Sequence, residues 1–216
     1  MKKEARKAAF MQVDIYPVTC ERLSGGRSNV EVLKAVIQGG ARVIQLREKE
    51  YSIKKFYSLA VKFREITQKA GVLLIINDHV DIAMAVGADG VHLGQDDFPL
   101  QAAQEIAPEL IIGASTHSLQ EAVQAQKDGA DYINIGPIFS TSTKEGVGRF
   151  LDPEAIAEIS PAIEVPFTVM GGISEANIEQ VLARGARRVA VVSAITQAAD
   201  IAAKTRILKE TIRRFR

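Results

Sequence analysis

Gln45, Arg47 and Lys49, spaced by two in the segment IQLREKE, could bind an anion. In an extended chain such side chains share one face. An amide, a guanidinium fork and an ammonium together suit a phosphate or pyrophosphate. The plainer alternative is a solvated strand end that pairs with Glu48 or Glu50. Asp78 and Asp97 each follow an apolar run, with Asn77 beside the first. Two converging carboxylates could hold Mg²⁺, which takes few protein ligands and completes its shell with phosphate oxygens. Each Asp also precedes a helical pattern, so a pair of helix N-caps is the alternative. Arg47 and Lys49 tip the balance to metal plus phosphate, because cations beside carboxylates need an anionic ligand.

A second anion site is written in glycine. Gly171-Gly172-Ile173-Ser174 and Val192-Ser193 each follow an apolar run. Backbone N–H groups in such loops and at a helix N-terminus can cradle a phosphate. A simple cap by Ser174 is the alternative. His79, His92 and His117 lack zinc spacing. His92 reads as a satisfied buried residue, whereas His117 could reach the same rim as Ser115. Ser115 lacks the G-x-S-x-G elbow of a hydrolase. Cys20 reads as small and buried rather than reactive.

These residues need elements to position them. Gly-Ala-Arg/Asp recurs at Gly40, Gly87, Gly129 and Gly185, each time after a helical pattern and before a short apolar run. Glycine ends helices because it takes the left-handed conformation freely. Four further apolar runs bring the predicted strand starts to about 13, 42, 72, 89, 110, 131, 166 and 187. Eight alternating units imply a parallel sheet, closed as a single (β/α)₈ TIM barrel over residues 12–216. An open doubly wound sheet is disfavoured, because no G-x-G-x-x-G follows the first strand. Residues 1–11 read as a tail or a short extra helix, and Lys204–Arg216 as a closing helix. Residues 136–148 form a long loop that carries Lys144 and reads as a lid. Nearly all the polar residues named above then lie at the carboxyl ends of strands.

Composition narrows the class. With 216 residues, 47% apolar and 25% charged, one ordinary globular domain is expected. A net charge of +1 does not point to nucleic acid or an anionic membrane. No apolar run approaches a membrane span. A single cysteine fits a reducing cytoplasm. An exposed helix face could support a homo-oligomer.

The segments IQLREK, IINDHVDIAMAVGADGVHLGQDD, IGASTHS, GPIFSTSTKEG, MGGI and VVSAI, in this order, resemble the thiamine-phosphate synthase family. The resemblance runs from the second predicted strand to the eighth. It departs at the first strand, where Thr19 is followed by Cys20 instead of Asp. It implies a (β/α)₈ barrel that joins hydroxymethylpyrimidine diphosphate to hydroxyethylthiazole phosphate, giving thiamine phosphate and pyrophosphate. It implies that Gln45, Leu46, Arg47, Glu48 and Lys49, with Asn77, Ser115 and Lys144, hold the pyrimidine diphosphate. Arg47, Lys49, Lys144 and Ser115 would be catalytic. Asp78 and Asp97 would bind Mg²⁺. Thr141, Ser142, Thr143, Gly172, Val192 and Ser193 would hold the thiazole phosphate. A dissociative substitution is expected, with a pyrimidine methyl cation kept from water under the lid. Two rival activities are a thiazole tautomerase using His117 and a silent binder of thiazole or thiamine phosphate. A phosphate-binding barrel of tryptophan synthesis is a third.

Overall fold

The computed structural model describes residues 1–141 and 150–215. Eight strands alternate with helices: β1 Ile15–Pro17, β2 Val43–Leu46, β3 Leu73–Asn77, β4 Gly90–Leu93, β5 Ile111–Thr116, β6 Tyr132–Ile135, β7 Phe167–Val169 and β8 Val189–Val191. The helices are α1 Lys3–Met11, α2 Asn29–Gln38, α3 Ile53–Ala70, α4 Val80–Ala85, α5 Leu100–Ile106, α6 Leu119–Lys127, α7 Glu154–Ile159, α8 Ile178–Ala183, α9 Ser193–Thr196 and α10 Ile201–Arg214. Each strand starts one or two residues after its predicted position. All pairings are parallel, in the order β1-β8-β7-β6-β5-β4-β3-β2. The bridge Val18–Gln45 and the bond from Thr19 N–H to the Gln45 carbonyl, 3.0 Å, close β1 onto β2. The molecule is a (β/α)₈ TIM barrel.

The helix ends follow local chemistry. Ser28 caps α2 in a reciprocal box with Glu31, and Ser118 caps α6 through the Glu121 N–H. The glycines of the four repeats all have positive φ, between 64° and 98°. They turn the chain at the amino-terminal ends of β2, β4, β6 and β8. The aspartates of two repeats have a further task. The Asp89 carboxylate accepts from Leu74 N–H at 3.0 Å, and Asp131 accepts from Ile112 N–H at 2.8 Å, so each ties its strand to the preceding one.

Strand periodicity sorts the side chains into two cores. Ile44, Leu46, Leu74, Ile76, Val91, Ile112, Ile133 and Ile135 pack outward against the helices. Tyr16, Val43, Leu73, Ile75, Ile111 and Tyr132 point inward with Ala190. Gly113 leaves space for the Tyr132 ring, which a Cβ there would overlap. Helix α1 closes the amino-terminal mouth of the barrel. Its Phe10 is 2% exposed and packs on Tyr132, ring centroids 4.2 Å apart. Arg6 Nε lies 3.3 Å from Asp89, and Lys3 Nζ lies 2.8 Å from Asp131. Going up the barrel, inward positions turn polar at Gln45, Asn77, His92, Ser115 and Asn134.

Because Phe10 fills the barrel mouth, Phe10→Ala should cost about 3–5 kcal/mol of stability. Urea unfolding measures this. A loss of less than about 1 kcal/mol would show that α1 is a peripheral appendage.

Candidate active site at the carboxyl ends of the strands

A cavity of about 440 Å³ opens where the inward side chains turn polar. Strand alternation brings Gln45, Arg47 and Lys49 to its wall together. The side chains of Leu46 and Glu48, both expected to hold substrate, fall on the other face of the segment, so only their backbone faces the ligand side. Leu46 is fully buried in the outer core. The Glu48 carboxylate accepts from Glu21 N–H at 2.7 Å. Burial holds that carboxyl above its usual pKa, against the opposing effect of this bond. Glu50 faces Arg22, 3.6 Å away. Neither glutamate therefore takes up Arg47 or Lys49, as the solvated-strand reading required.

Asn77, Asp78 and Asp97 line the cavity next to these cations. The helix-cap alternative does not hold for either aspartate. The N-cap of α4 is His79 and that of α5 is Pro99. Asp78 instead has a left-handed backbone, φ 64°, and its carboxylate bonds Lys49 Nζ. Asp97 accepts from Gly94 N–H at 2.7 Å. The two carboxyl groups hydrogen-bond each other. Burial, followed by the bond with Asp97, raises the pKa of Asp78. For Asp97, burial pushes upward but is outweighed by hydrogen bonds with Asp78 and Gly94 N–H, so its pKa falls. Two carboxylates held this close repel unless a proton or a cation lies between them. Among the described residues no group of three or more His, Cys, Asp or Glu could hold a metal. A cation here would rest on two carboxylates and complete its shell with ligand oxygens, which fits Mg²⁺.

Across the cavity lie Thr141, Gly172, Val192 and Ser193. Val192 caps the short helix α9, whose first N–H groups have no acceptor within the helix. Ser174 does not cap α8, because the N-cap is Asn177. Asn177 accepts from Ser174 N–H at 2.8 Å and donates to the Gly172 carbonyl at 2.9 Å, which pins the loop. Gly171 and Gly172 have φ of 103° and 62°. A Cβ on Gly171 would overlap Pro137, and one on Gly172 the Ser140 carbonyl. These glycines are thus required by their packing on residues 137–140. Ser142, Thr143 and Lys144 lie outside the described residues.

Ser115 and His117 also line the cavity. His117 Nδ1 bonds the Gly136 carbonyl. Beneath Ser115, His92 is 6% exposed, and burial lowers its pKa to about 4. Cys20 is buried. Asn134, which lines the cavity and accepts from Thr168 Oγ1 at 2.8 Å, was not singled out in the sequence. Its signal is the alternation Tyr132-x-Asn134, the same that exposes Gln45 and Arg47.

The chain matches a family model described as thiamine monophosphate synthase over residues 15–195. It is 46% identical over 208 residues to a thiamine-phosphate synthase of Pelotomaculum thermopropionicum, covering 96% of this chain and 95% of that one. It is 41% identical over 216 residues to the thiamine-phosphate synthase of Caldicellulosiruptor saccharolyticus, covering 100% and 98%. Among solved structures it resembles a thiamine phosphate pyrophosphorylase from Pyrococcus furiosus, with a TM-score of 0.87, 36% identity and 94% and 96% coverage. A 3-hexulose-6-phosphate synthase, 19% identical with a TM-score of 0.67, shares the fold. Among the described residues no helix is long and apolar enough to cross a membrane. The chain is an enzyme, a transferase, and belongs to the thiamine monophosphate synthase family.

Proposed function

We propose that this cavity joins hydroxymethylpyrimidine diphosphate to hydroxyethylthiazole phosphate and releases pyrophosphate. The observation that carries the reading is the pairing of Arg47 and Lys49 with Asp78 and Asp97 on one wall, opposite the Gly172 and Ser193 loops. One wall suits a diphosphate and the other a monophosphate, so two anionic handles hold two substrates face to face.

The chemistry follows from the charges. The bond between the pyrimidine methyl carbon and the diphosphate oxygen breaks, and its electron pair leaves with the diphosphate. Arg47 and Lys49 meet that growing negative charge, an electrostatic contribution that is usually large. When bound by Asp78 and Asp97, Mg²⁺ supplies Lewis-acid stabilisation of the same oxygens. Lys144 joins them by the family resemblance. The thiazole nitrogen then gives its lone pair to the methyl carbon. It carries no proton, so no general base is required. Ser115 donates to the diphosphate, while Thr141, Gly172, Val192 and Ser193 hold the thiazole phosphate with Ser142 and Thr143.

The test mixes protein, pyrimidine diphosphate and thiazole phosphate, with and without Mg²⁺. Thiamine phosphate and pyrophosphate should form in equal amounts and only with the metal. Folded protein that makes neither would overturn the reading and turn attention to a proton-transfer role for His117.

Three substitutions sharpen it. Asp97→Asn and Lys144→Ala should each lower turnover at least about 100-fold with little loss of stability. Glu48→Gln should stay within about threefold of wild type in kcat, because its carboxylate faces Glu21. A loss in Glu48→Gln as large as in the other two would show that the Glu48 carboxylate takes part in the site.

A further inference from the structure

The barrel interior holds an unbranched chain of five polar side chains with both ends in the cavity. Gln45 Nε2 donates to Tyr16 Oη at 3.0 Å. Tyr16 Oη lies 3.0 Å from Tyr132 Oη. Tyr132 Oη lies 3.1 Å from His92 Nδ1, and His92 Nε2 lies 2.9 Å from Ser115 Oγ. Gln45 and Ser115 line the cavity, whereas Tyr16 and Tyr132 are 1% and 0% exposed. Among the described residues the side-chain polar atoms of Tyr16, Tyr132 and His92 bond only their neighbours in this chain.

Such a chain has a direction. Each hydroxyl has one hydrogen, and a neutral imidazole has one N–H. Burial keeps His92 neutral at pH 7. An amide nitrogen at Gln45 can only donate, so Tyr16 must pass its hydrogen to Tyr132. Tyr132 then donates to Nδ1, and Nε2–H donates to Ser115. The Ser115 hydrogen is left over and faces the cavity. Turning the Gln45 amide over reverses every bond and draws that hydrogen back to His92. A diphosphate offers acceptors only, so it selects the first sense.

We propose that Tyr16, Tyr132 and His92 are positioning residues whose hydrogen-bond chain couples Gln45 to Ser115. In this sense of the chain, Ser115 is a donor to the anionic ligand while the Gln45 carbonyl oxygen faces the cavity as an acceptor. The assignment rests on the proposed diphosphate-releasing reaction for its functional meaning, but its structural content stands apart. A diphosphate bearing a ligand N–H matches both ends at once. A ligand that reverses either end works against the other, because the chain cannot serve both senses.

The test is ¹⁵N-histidine NMR on the ligand-free protein. Wild-type His92 should be the Nε2–H tautomer. Tyr132→Phe keeps the ring that fills the space beside Gly113 but removes the donor to Nδ1. A mixture of tautomers should appear, and kcat should fall about tenfold with a smaller change in KM. Tyr16→Phe cuts Gln45 off from Tyr132, so part of the His92 population should likewise shift to the Nδ1–H tautomer and KM for the pyrimidine diphosphate should rise; a tautomer unmoved by this variant would show that Gln45 and Ser115 are not coupled. Wild-type His92 carrying its proton on Nδ1, or a tautomer unmoved by Tyr132→Phe, would overturn the proposal. The wild-type spectrum decides the direction even if Tyr132→Phe does not fold. Protein that shows the Nε2–H tautomer yet makes no thiamine phosphate would leave the chain intact and remove the proposed function.

Discussion

A polar side chain inside a closed parallel barrel must find its partner there, because water reaches only the open end. That constraint organises this molecule. The lower barrel meets it by being apolar, with Phe10, Val43, Leu73 and Ile111 in contact. The middle meets it with the two tyrosine hydroxyls, which bond each other. At the top, amide, imidazole, hydroxyl and carboxylate groups line a cavity that can supply what the protein does not. The gradient from apolar to polar along the barrel axis therefore both stabilises the fold and locates the site.

The carboxylate pair is the exception that makes chemical sense of the cavity. Asp78 and Asp97 face each other at the rim beside Lys49, in an arrangement costly for a protein that only needs to be stable. Asp78 adopts a left-handed backbone, which a non-glycine residue rarely does without some return elsewhere. The opposite rim has its own constraint. Gly171 and Gly172 let the β7 loop lie against residues 137–140, and Asn177 pins it there. The two rims thus have separate supports.

Much of this was legible in the sequence, for reasons that particular residues make clear. Period two in Gln45-x-Arg47-x-Lys49 told the face correctly, and the same rule explains why Leu46 and Glu48 do not reach the cavity. Glycines of the four repeats marked helix ends because their positive φ is a local property. The roles of Asp89 and Asp131 were hidden, since their partners are backbone N–H groups of a neighbouring strand. The tyrosine chain was hidden for the same reason: Tyr16 and Tyr132 lie 116 residues apart and meet only when the barrel closes. Aspartates that cap helices and aspartates that line a cavity also look alike in sequence, and only the placement of His79 and Pro99 as the caps separates them.

The central claim is that the Asp78–Asp97 pair and the Arg47–Lys49 pair serve one ligand. The most direct measurement is an anomalous-difference map from crystals soaked with Mn²⁺ and pyrophosphate. The account predicts one Mn²⁺ peak between the two aspartates, with pyrophosphate oxygens completing its shell and reaching Arg47 and Lys49. Pyrophosphate bound at the Gly172–Ser193 rim with no metal at the aspartates would contradict it.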